Sequence, residues 1–275
     1  MKNQVIIQEI VDYLSTFNEM EILVLNGSMA DPNVSKDEYQ DIDLSLLSSN
    51  LTSTMQIIKE FKLFNNRILF TEKHEGDPFV HSGLRFLLHS GIEVGFNIYY
   101  NLEIFNKEIN RFVVLLFNNL GKPIDFSPPT DRPFQVNKPT IEEFNQLMTD
   151  IYWATADVMK GFKRDHFIYT KHKYDTVLQP KIKHLITWYI RDLNDWNVSL
   201  GSHGKRIKEY LEPGIYEQYV STYSTNTLDG VFEKLLNAKK TVTEIGNKLA
   251  DSLGYRFPED QDQKMFEYLK STYNK

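Results

Sequence analysis

The sequence lacks several features on which common catalytic sites depend. Its 275 residues include no cysteine, which excludes disulfides, thiolate zinc sites and a cysteine nucleophile. The seven histidines show no H-x-H or H-E-x-x-H spacing, so a histidine metal site is not expected. A Walker loop, G-x-G-x-x-G and G-x-S-x-G are also absent, which argues against P-loop, Rossmann and hydrolase folds.

Long apolar runs and an excess of basic charge are missing as well. No run reaches the length of a transmembrane helix, and the first residues place charges within an apolar periodicity, unlike a secretory signal peptide. We therefore expect a cytoplasmic protein without a membrane partner. With 31 Lys and Arg against 37 Asp and Glu the net charge is −6, which argues against nucleic acid as a partner and suits a cationic small-molecule substrate.

The chain has the composition and length of a globular protein with two domains. Hydrophobic residues make up 41% and charged residues 25%. Four prolines between Ser127 and Pro139 predict a linker, which we place at residues 131–139. Residues 1–130 alternate helical and strand patterns, whereas residues 140–275 are mainly helical. The predicted fold class is α+β, a mixed sheet with helices followed by a helical bundle.

The stretch from Glu21 to Ser48 is the one around which the first domain is organised. Leu23 to Leu25 have the composition of a short buried strand, and Asn26-Gly27-Ser28 supply the turn expected at its end. Such a turn offers backbone N–H groups and a hydroxyl, which suit the phosphates of a nucleotide. Gly27 and Ser28 are therefore candidate phosphate-binding residues.

Two carboxylates open the second apolar run of this stretch. Asp41 and Asp43 alternate with Ile42 and Leu44, so period-2 geometry places both carboxylates on one face of a strand. Adjacent carboxylates repel each other and are stabilised when a divalent cation lies between them. The pattern favours a metal–nucleotide site over a solvated loop.

Two alternatives compete with this interpretation. D-x-D is a common motif, and a second copy, Asp260-Gln261-Asp262, lies in a charged run without strand character. A calcium loop starting at Asp31 fails because position 6 is Lys36 instead of Gly and position 12 is Ile42 instead of Glu.

Further candidate residues lie later in the chain. Residues 79–100 form a hairpin pattern divided by Ser90-Gly91, and Glu93 is a lone acid in its second strand. Glu93 is either a solvent-facing strand residue or a third carboxylate directed at the metal pair. The basic run from Lys160 to Arg164 is either a solvated helix end or a phosphate clamp.

The second half contains three long helical patterns. Thr140 and Glu143 form a capping box that predicts the start of the first helix, and Trp153 belongs to its apolar face. A second pattern runs from Phe167 to Leu193, where Pro180 should kink or divide it. A third runs from Leu228 to Leu253.

This combination of motifs resembles a known family. A strand, Gly-Ser, a spacer, D-x-D on a strand and an acid on a later strand resemble the nucleotidyltransferase superfamily that includes DNA polymerase beta. The segment LNGSMADPNVSKDEYQDIDLSL is similar to the aminoglycoside 6-adenylyltransferases, which modify streptomycin, and the similarity extends to Trp153, Lys160-Gly161 and Arg164.

The resemblance implies specific roles for residues of this chain. Asp41, Asp43 and Glu93 would be catalytic and would bind Mg²⁺, with Glu93 as metal ligand or as general base. Gly27, Ser28, Lys160 and Arg164 would bind ATP, the co-substrate. The implied reaction transfers AMP from ATP to a hydroxyl of a cationic aminoglycoside and releases pyrophosphate, in a polymerase-beta-like domain of a monomer or homodimer that confers antibiotic resistance.

Two residues depart from the family pattern. Met29 replaces the usual Arg after Gly-Ser, and Glu93 replaces the expected Asp. These departures leave other hypotheses open. One hypothesis is that the acceptor is another small molecule, such as a lincosamide, or a protein hydroxyl. Another is that the site has decayed into a nucleotide-binding or antitoxin-like module without turnover. Nucleic-acid elongation is disfavoured by the acidic charge.

Overall fold

The computed structural model describes residues 2–32, 34–61, 67–75, 81–109, 112–124, 126, 137–223 and 225–273. The chain divides into two compact units, Met1–Asp131 and Arg132–Lys275. Most of the predicted linker, residues 131–136, lies outside the described residues. Within the described part of the chain, no helix has the length and apolar character needed to cross a membrane.

The first unit is built on a six-stranded mixed sheet. Its strands are β1 (Met20–Asn26), β2 (Ile42–Ser48), β3 (Ile68–Glu75), β4 (His81–Leu88), β5 (Glu93–Tyr99) and β6 (Val114–Asn118), and its helices are α1 (Lys2–Leu14), α2 (Gly27–Ala30), α3 (Leu51–Lys59) and α4 (Leu102–Glu108). The strand order is β3-β4-β5-β2-β1-β6, and β2 pairs with β5 in parallel while the other neighbours are antiparallel.

Alternation along the central strands gives the sheet two faces with different partners. Ile42 and Leu44 of β2 join an apolar cluster that includes Ile6 and Ile10 of α1. Leu47, on the opposite face of β2, packs in a separate cluster with Phe105 of α4 and its neighbours. Since side chains two residues apart share a face, Asp43 and Ser45 lie on the face of Leu47. The cluster with α1 therefore anchors β2 through Ile42 and Leu44, while the side chain of Asp43 lies on the other face of the sheet.

The second unit is helical. Its α-helices are α5 (Ile141–Lys163), α6 (Phe167–His172), α7 (Gln179–Asp192), α8 (Ile207–Tyr210), α9 (Pro213–Val220), α10 (Leu228–Leu253) and α11 (Glu259–Tyr273), with a π-helical turn at Lys173–Leu178 and a 3₁₀ turn at Ser202–Gly204. The predicted capping box is confirmed: Thr140 Oγ1 accepts from the N–H of Glu143, and Glu143 Oε2 accepts from the N–H of Thr140. A mixed sheet followed by a helical unit confirms the α+β class.

Pro180 divides the second helical pattern as predicted, through a π-helical turn. Proline has no N–H to donate to the carbonyl of Thr176, four residues earlier, and its ring crowds that carbonyl. The chain passes through the wider turn just before Pro180, which then occupies the first turn of α7. Tyr174 in this turn is fully buried, and its hydroxyl donates to the carbonyl of Thr222.

In the described part of the second unit, the buried apolar side chains form one cluster that holds the helices together. It includes Phe144 of α5, Ile186 of α7 and Ile245 of α10, all fully buried. Trp153 does not join it: the prediction that Trp153 lies on the apolar face of α5 is wrong, because its side chain is 67% exposed. An aromatic residue within a 3.6-type pattern was assigned to the core by type, whereas α5 turns Trp153 to solvent.

Candidate active site

A polar row crosses the first sheet at one end of its central strands. Backbone register pairs Asn26 of β1 with Asp43 of β2, and Asp43 with Gly95 of β5. Gly95 pairs in turn with Arg85 of β4, and Arg85 with Glu72 of β3. Directly paired residues share a face of the sheet. The pairing thus brings residues from five strands into one row, although they are widely separated in sequence.

The turn after β1 approaches Asp43 closely. Gly27 has a φ of +66°, and a Cβ added to it would lie 2.1 Å from Asp43 Oδ2. Both the backbone conformation and the lack of space require glycine here. The Gly-Ser turn therefore meets the D-x-D strand at Gly27, while Ser28 follows as the second residue of α2.

Asp41 and Glu93 meet through the backbone. The N–H of Glu93 donates to Asp41 Oδ1 at 3.1 Å, which ties the start of β5 to the residue just before β2. Asp41 is exposed, whereas Asp43 and Glu93 are half-buried. The structure thus places Gly27, Asp41, Asp43 and Glu93 in one region of the first unit.

The carboxylate of Glu93 is held by Arg85. Arg85 Nε donates to Glu93 Oε1 at 2.8 Å and Nη2 donates to Oε2 at 2.7 Å, a bidentate pair. Arg85 Nη1 also donates to Glu72 Oε2 at 3.2 Å. These bonds, with the charge of Glu93 and to a smaller extent of Glu72 and Asp41, raise the pKa of Arg85 above its ordinary value.

Lys36 fixes the segment that follows the Gly-Ser turn. Its ammonium donates to the carbonyls of Ser28 at 2.9 Å, Met29 at 3.0 Å and Asp31 at 2.6 Å. Three donors meet three backbone acceptors, so Lys36 satisfies carbonyls at the end of a helix of only four residues. Its role here is to shape the loop.

Met29 is placed by packing. Its side chain packs against the apolar cluster that contains Ile42 and Leu44, and its sulfur lies 4.0 Å from Asn3 Nδ2. The same Asn3 amide donates to the carbonyl of Gln40 at 2.8 Å, just before the carboxylate pair. The apolar residue after Gly-Ser thus joins α1 to the D-x-D strand.

The donor set fits Mg²⁺ bound through two carboxylates. A Cβ at Gly95 would lie 4.0 Å from Asp43 Oδ1 and 3.9 Å from Glu93 Oε1, so the absence of a side chain leaves space between these carboxylates. Among the described residues, no group of three His, Asp or Glu side chains is arranged to hold a metal. Mg²⁺ is usually bound by one or two carboxylates together with substrate phosphates, which matches Asp41 and Asp43.

Lys160 and Arg164 lie in the second unit. Lys160 Nζ is 3.2 Å from Asp157 Oδ1, and Arg164 is the exposed residue that ends α5. Arg164 follows Lys160 by four residues and lies at the C-cap, just past the last residue of α5. Gly161 between them has a packing role, because a Cβ there would lie 2.5 Å from Thr170 Oγ1.

The acids near Trp153 on α5 are partly engaged. Asp150 forms an ion pair with Lys181 at 2.8 Å, which with Gln146 lowers the pKa of the Asp150 carboxyl. Tyr152 is buried and its hydroxyl lies 3.3 Å from Asp262 Oδ1, so Tyr152 belongs to the core.

Sequence reasoning missed Arg85 and Gly95. A signal for Arg85 was present: it is the only charged residue within the apolar run of β4, as Glu93 is in β5. The hairpin pairs Leu87 with Glu93 and Arg85 with Gly95. Arg85 and Glu93 are therefore diagonal neighbours on one face of the sheet. Gly95 carries no chemical group, so only the register reveals it.

Comparisons with known proteins show what this chain is similar to. The model of the family described as "Streptomycin adenylyltransferase" matches residues 1–272. An aminoglycoside 6-adenylyltransferase of Campylobacter jejuni is 22% identical over 94% of this chain and 92% of its own length. One from Bacillus subtilis (strain 168) is 22% identical over 97% of both chains. The crystal structure of an aminoglycoside 6-adenyltransferase from Bacillus subtilis aligns with 96% of each chain, with 18% identity and a TM-score of 0.49.

The family match spans nearly the whole chain and includes the turn, the D-x-D strand and the helical unit. The chain therefore belongs to the streptomycin adenylyltransferase family, a family of nucleotidyltransferases.

Proposed function

We propose that this protein transfers AMP from ATP to a hydroxyl of an aminoglycoside of the streptomycin type and releases pyrophosphate. The observation that carries the proposal is the contact between the Gly27 turn and Asp43, next to Asp41, in a chain of this family. A turn that offers backbone N–H groups beside paired carboxylates suits a metal-bound triphosphate.

Asp41 and Asp43 would hold Mg²⁺. The bound ion would neutralise charge on the triphosphate oxygens and on the departing pyrophosphate. Asp41 is exposed and Asp43 half-buried, so both carboxylates are accessible to an ion that keeps some of its water.

Residues of the chain would position the nucleotide. The close approach of Gly27 to Asp43 sets the distance between the turn and the carboxylates, and Lys36 fixes the loop beyond Ser28. In-line phosphoryl transfer depends on positioning and charge stabilisation more than on covalent catalysis. Glu93 would act as an additional carboxylate at the same end of the sheet.

The second unit would supply contacts to ATP and to the acceptor. Lys160 in the last turn of α5 and Arg164 at its C-cap are two exposed cations, which suit phosphate oxygens. Trp153 is exposed on the same helix, one turn before Asp157. An indole face beside a carboxylate suits a cationic sugar.

The test is streptomycin-dependent release of pyrophosphate from ATP. Wild type should release pyrophosphate only with the acceptor present, and Asp41→Asn and Asp43→Asn should each lower the rate on the order of 1,000-fold, since a metal site supplies several kcal/mol. Asp260→Asn is the matched control because it alters the other D-x-D motif at an exposed position. It should keep the wild-type rate.

Three outcomes would contradict the proposal in different ways. Release that survives in both Asp41→Asn and Asp43→Asn would rule out this metal site. Release supported by a lincosamide or a protein hydroxyl, and not by any aminoglycoside, would change the acceptor. ATP binding without turnover on any acceptor would mean that the site binds nucleotide only.

A further inference from the structure

Arg85 occupies both oxygens of the one candidate metal ligand that lies on β5. Its two bonds to Glu93, at 2.8 and 2.7 Å, form a planar fork that matches the geometry of a carboxylate. The side chains are 45% and 30% exposed, so the pair is partly shielded from water. Such a pair has a defined geometry, unlike a fully solvated ion pair.

This pairing explains why the carboxylates of the site do not form a three-ligand group. Glu93 starts at the right place, because its N–H bonds to Asp41 and its Oε1 lies on the open side of Gly95, as does Asp43 Oδ1. Yet within the described residues no three acidic or histidine side chains are arranged to hold a metal. The backbone brings Glu93 to the site, and Arg85 directs its carboxylate to β4.

Arg85 would keep a partner if Glu93 moved away. Its Nη1 donates to Glu72 on β3, and the register places Glu72 directly opposite Arg85. An arginine with a second carboxylate does not become an isolated charge when one partner leaves. The cost of releasing Glu93 is correspondingly lower.

We propose that Arg85 is a positioning residue that competes with the metal ion for the carboxylate of Glu93. Asp41 and Asp43 bind the ion first, and Glu93 joins them only when its carboxylate leaves the Arg85 fork. The inference rests on the proposed function, because it takes Asp41 and Asp43 as the metal ligands. In this arrangement the Arg85–Glu93 ion pair lowers the affinity of the site for the metal ion by withholding the carboxylate of Glu93.

Binding of Mn²⁺ alone, followed by the electron paramagnetic resonance signal of the free ion, tests this without ATP or acceptor. Arg85→Gln should bind Mn²⁺ on the order of tenfold more tightly, the scale on which neighbours of metal ligands alter affinity. The gain should vanish when Glu93→Gln is added. Arg85→Lys should give a smaller gain, since an ammonium still attracts Glu93 as a point charge although it cannot form the fork.

Arg67→Gln is the matched control for charge. Arg67 pairs with Glu9 at 3.7 Å on the surface of the same unit. Its substitution by Gln therefore removes one cation without altering the contacts of Glu93. It should leave Mn²⁺ affinity unchanged. Circular dichroism should show the same secondary structure in every variant, which is expected because Arg85 is 45% exposed.

Two results would overturn the inference. Unchanged or weaker Mn²⁺ binding in Arg85→Gln would mean that Arg85 does not withhold Glu93. An equal gain in Mn²⁺ affinity in the presence of Glu93→Gln would mean that Arg85 acts only through its positive charge and not by holding Glu93. Asp43→Asn separates this from the proposed function: if it fails to weaken Mn²⁺ binding, the metal site itself is wrong, whereas weakening alongside an unchanged Arg85→Gln refutes the competition alone.

Discussion

The chain contains the same three-residue motif in two settings, and the backbone decides what each copy does. Asp41 immediately precedes β2 and Asp43 is its second residue, and in extended backbone a spacing of two places both side chains on one face. Asp260 and Asp262 lie in the first turn of α11, where the same spacing separates them by about 200°. One setting joins two carboxylates, and the other sends them in opposite directions.

The helical copy divides its carboxylates between core and solvent. Asp262 is 5% exposed; Lys239 Nζ donates to it at 2.7 Å and Thr243 Oγ1 at 3.0 Å. The side chain of Asp260 is 84% exposed and pairs with Lys264. The D-x-D sequence alone therefore does not tell where its carboxylates point; the backbone conformation decides this. At β2 the two carboxylates are candidate metal ligands, whereas in α11 the carboxylate of Asp262 stabilises the fold through its ion pair with Lys239.

The largest expected effect is on stability, from Asp262→Asn. Removing this charge leaves the Lys239 ammonium, on a side chain that is only 12% exposed, without its counter-ion, which should cost about 3–5 kcal/mol of unfolding free energy. All three tryptophans lie in the second unit, so urea unfolding followed by tryptophan fluorescence reports on it specifically. Asp43→Asn should leave that transition unchanged. A similar midpoint for wild type and Asp262→Asn would remove the contrast between the two motifs.

The next effect is on the geometry of the strand motif, from Gly27→Ala. The added Cβ must displace Asp43 Oδ2, which it would approach to 2.1 Å. Misplacement by about 1 Å costs on the order of 100-fold in rate, so pyrophosphate release should fall by that factor.

Gly91→Ala is the matched control for Gly27→Ala. Gly91 has a φ of +82°, and among the described residues no atom beyond its chain neighbours lies within 4 Å of an added Cβ, so it shares the backbone strain without the collision. Both variants should lose about 1–2 kcal/mol of stability. Only Gly27→Ala should lose activity. Equal activity in the two variants would show that the contact with Asp43 is not required.

A smaller effect concerns Tyr152, which contacts the helical motif. Burial, followed by the charge and hydrogen bond of Asp262, raises the pKa of Tyr152 well above its ordinary value. The folded protein therefore keeps this proton where the unfolded chain, with a tyrosine pKa of about 10, releases it. The stabilisation is present below about pH 10 and is lost as the pH rises beyond it.

Tyr152→Phe tests this linkage. It should cost about 1 kcal/mol at neutral pH through the lost hydrogen bond. Above pH 10 the decline of wild-type stability should exceed that of the variant by up to about 1.4 kcal/mol per pH unit. Parallel declines, measured by urea unfolding from pH 7 to 11, would mean that Tyr152 titrates equally in the folded and unfolded states.

Sequence patterns predicted the elements whose determinants are local. The helix from Leu228 to Leu253 has the predicted bounds, because its 3.6-type periodicity is continuous and Gly254 ends it with a φ of +72°. The capping box at Thr140 follows from contacts within four residues. In these cases the chain needs no distant partner to fix the structure.

Features that depend on distant partners were not predicted. The parallel pairing of β2 with β5 places Asp43 beside Gly95, 52 residues later, and no local pattern encodes that register. The Arg85–Glu93 fork depends on another register, that of the antiparallel β4–β5 pair. Trp153 was misplaced for another reason, because its residue type favours burial while its position on α5 faces solvent. The candidate site was thus predicted in its motif and incompletely in its neighbours.

The smallest expected effect is that of Asp260→Asn, and it is the strictest test of the comparison. Asp260 belongs to the same motif as Asp262, but its side chain and that of its partner Lys264 are 84% and 72% exposed. Exposed pairs gain little because water and salt screen them. Asp260→Asn should therefore shift neither the fluorescence midpoint nor pyrophosphate release beyond measurement error. If it destabilised the protein as Asp262→Asn does, charge at the start of α11, and not burial, would hold that helix in place.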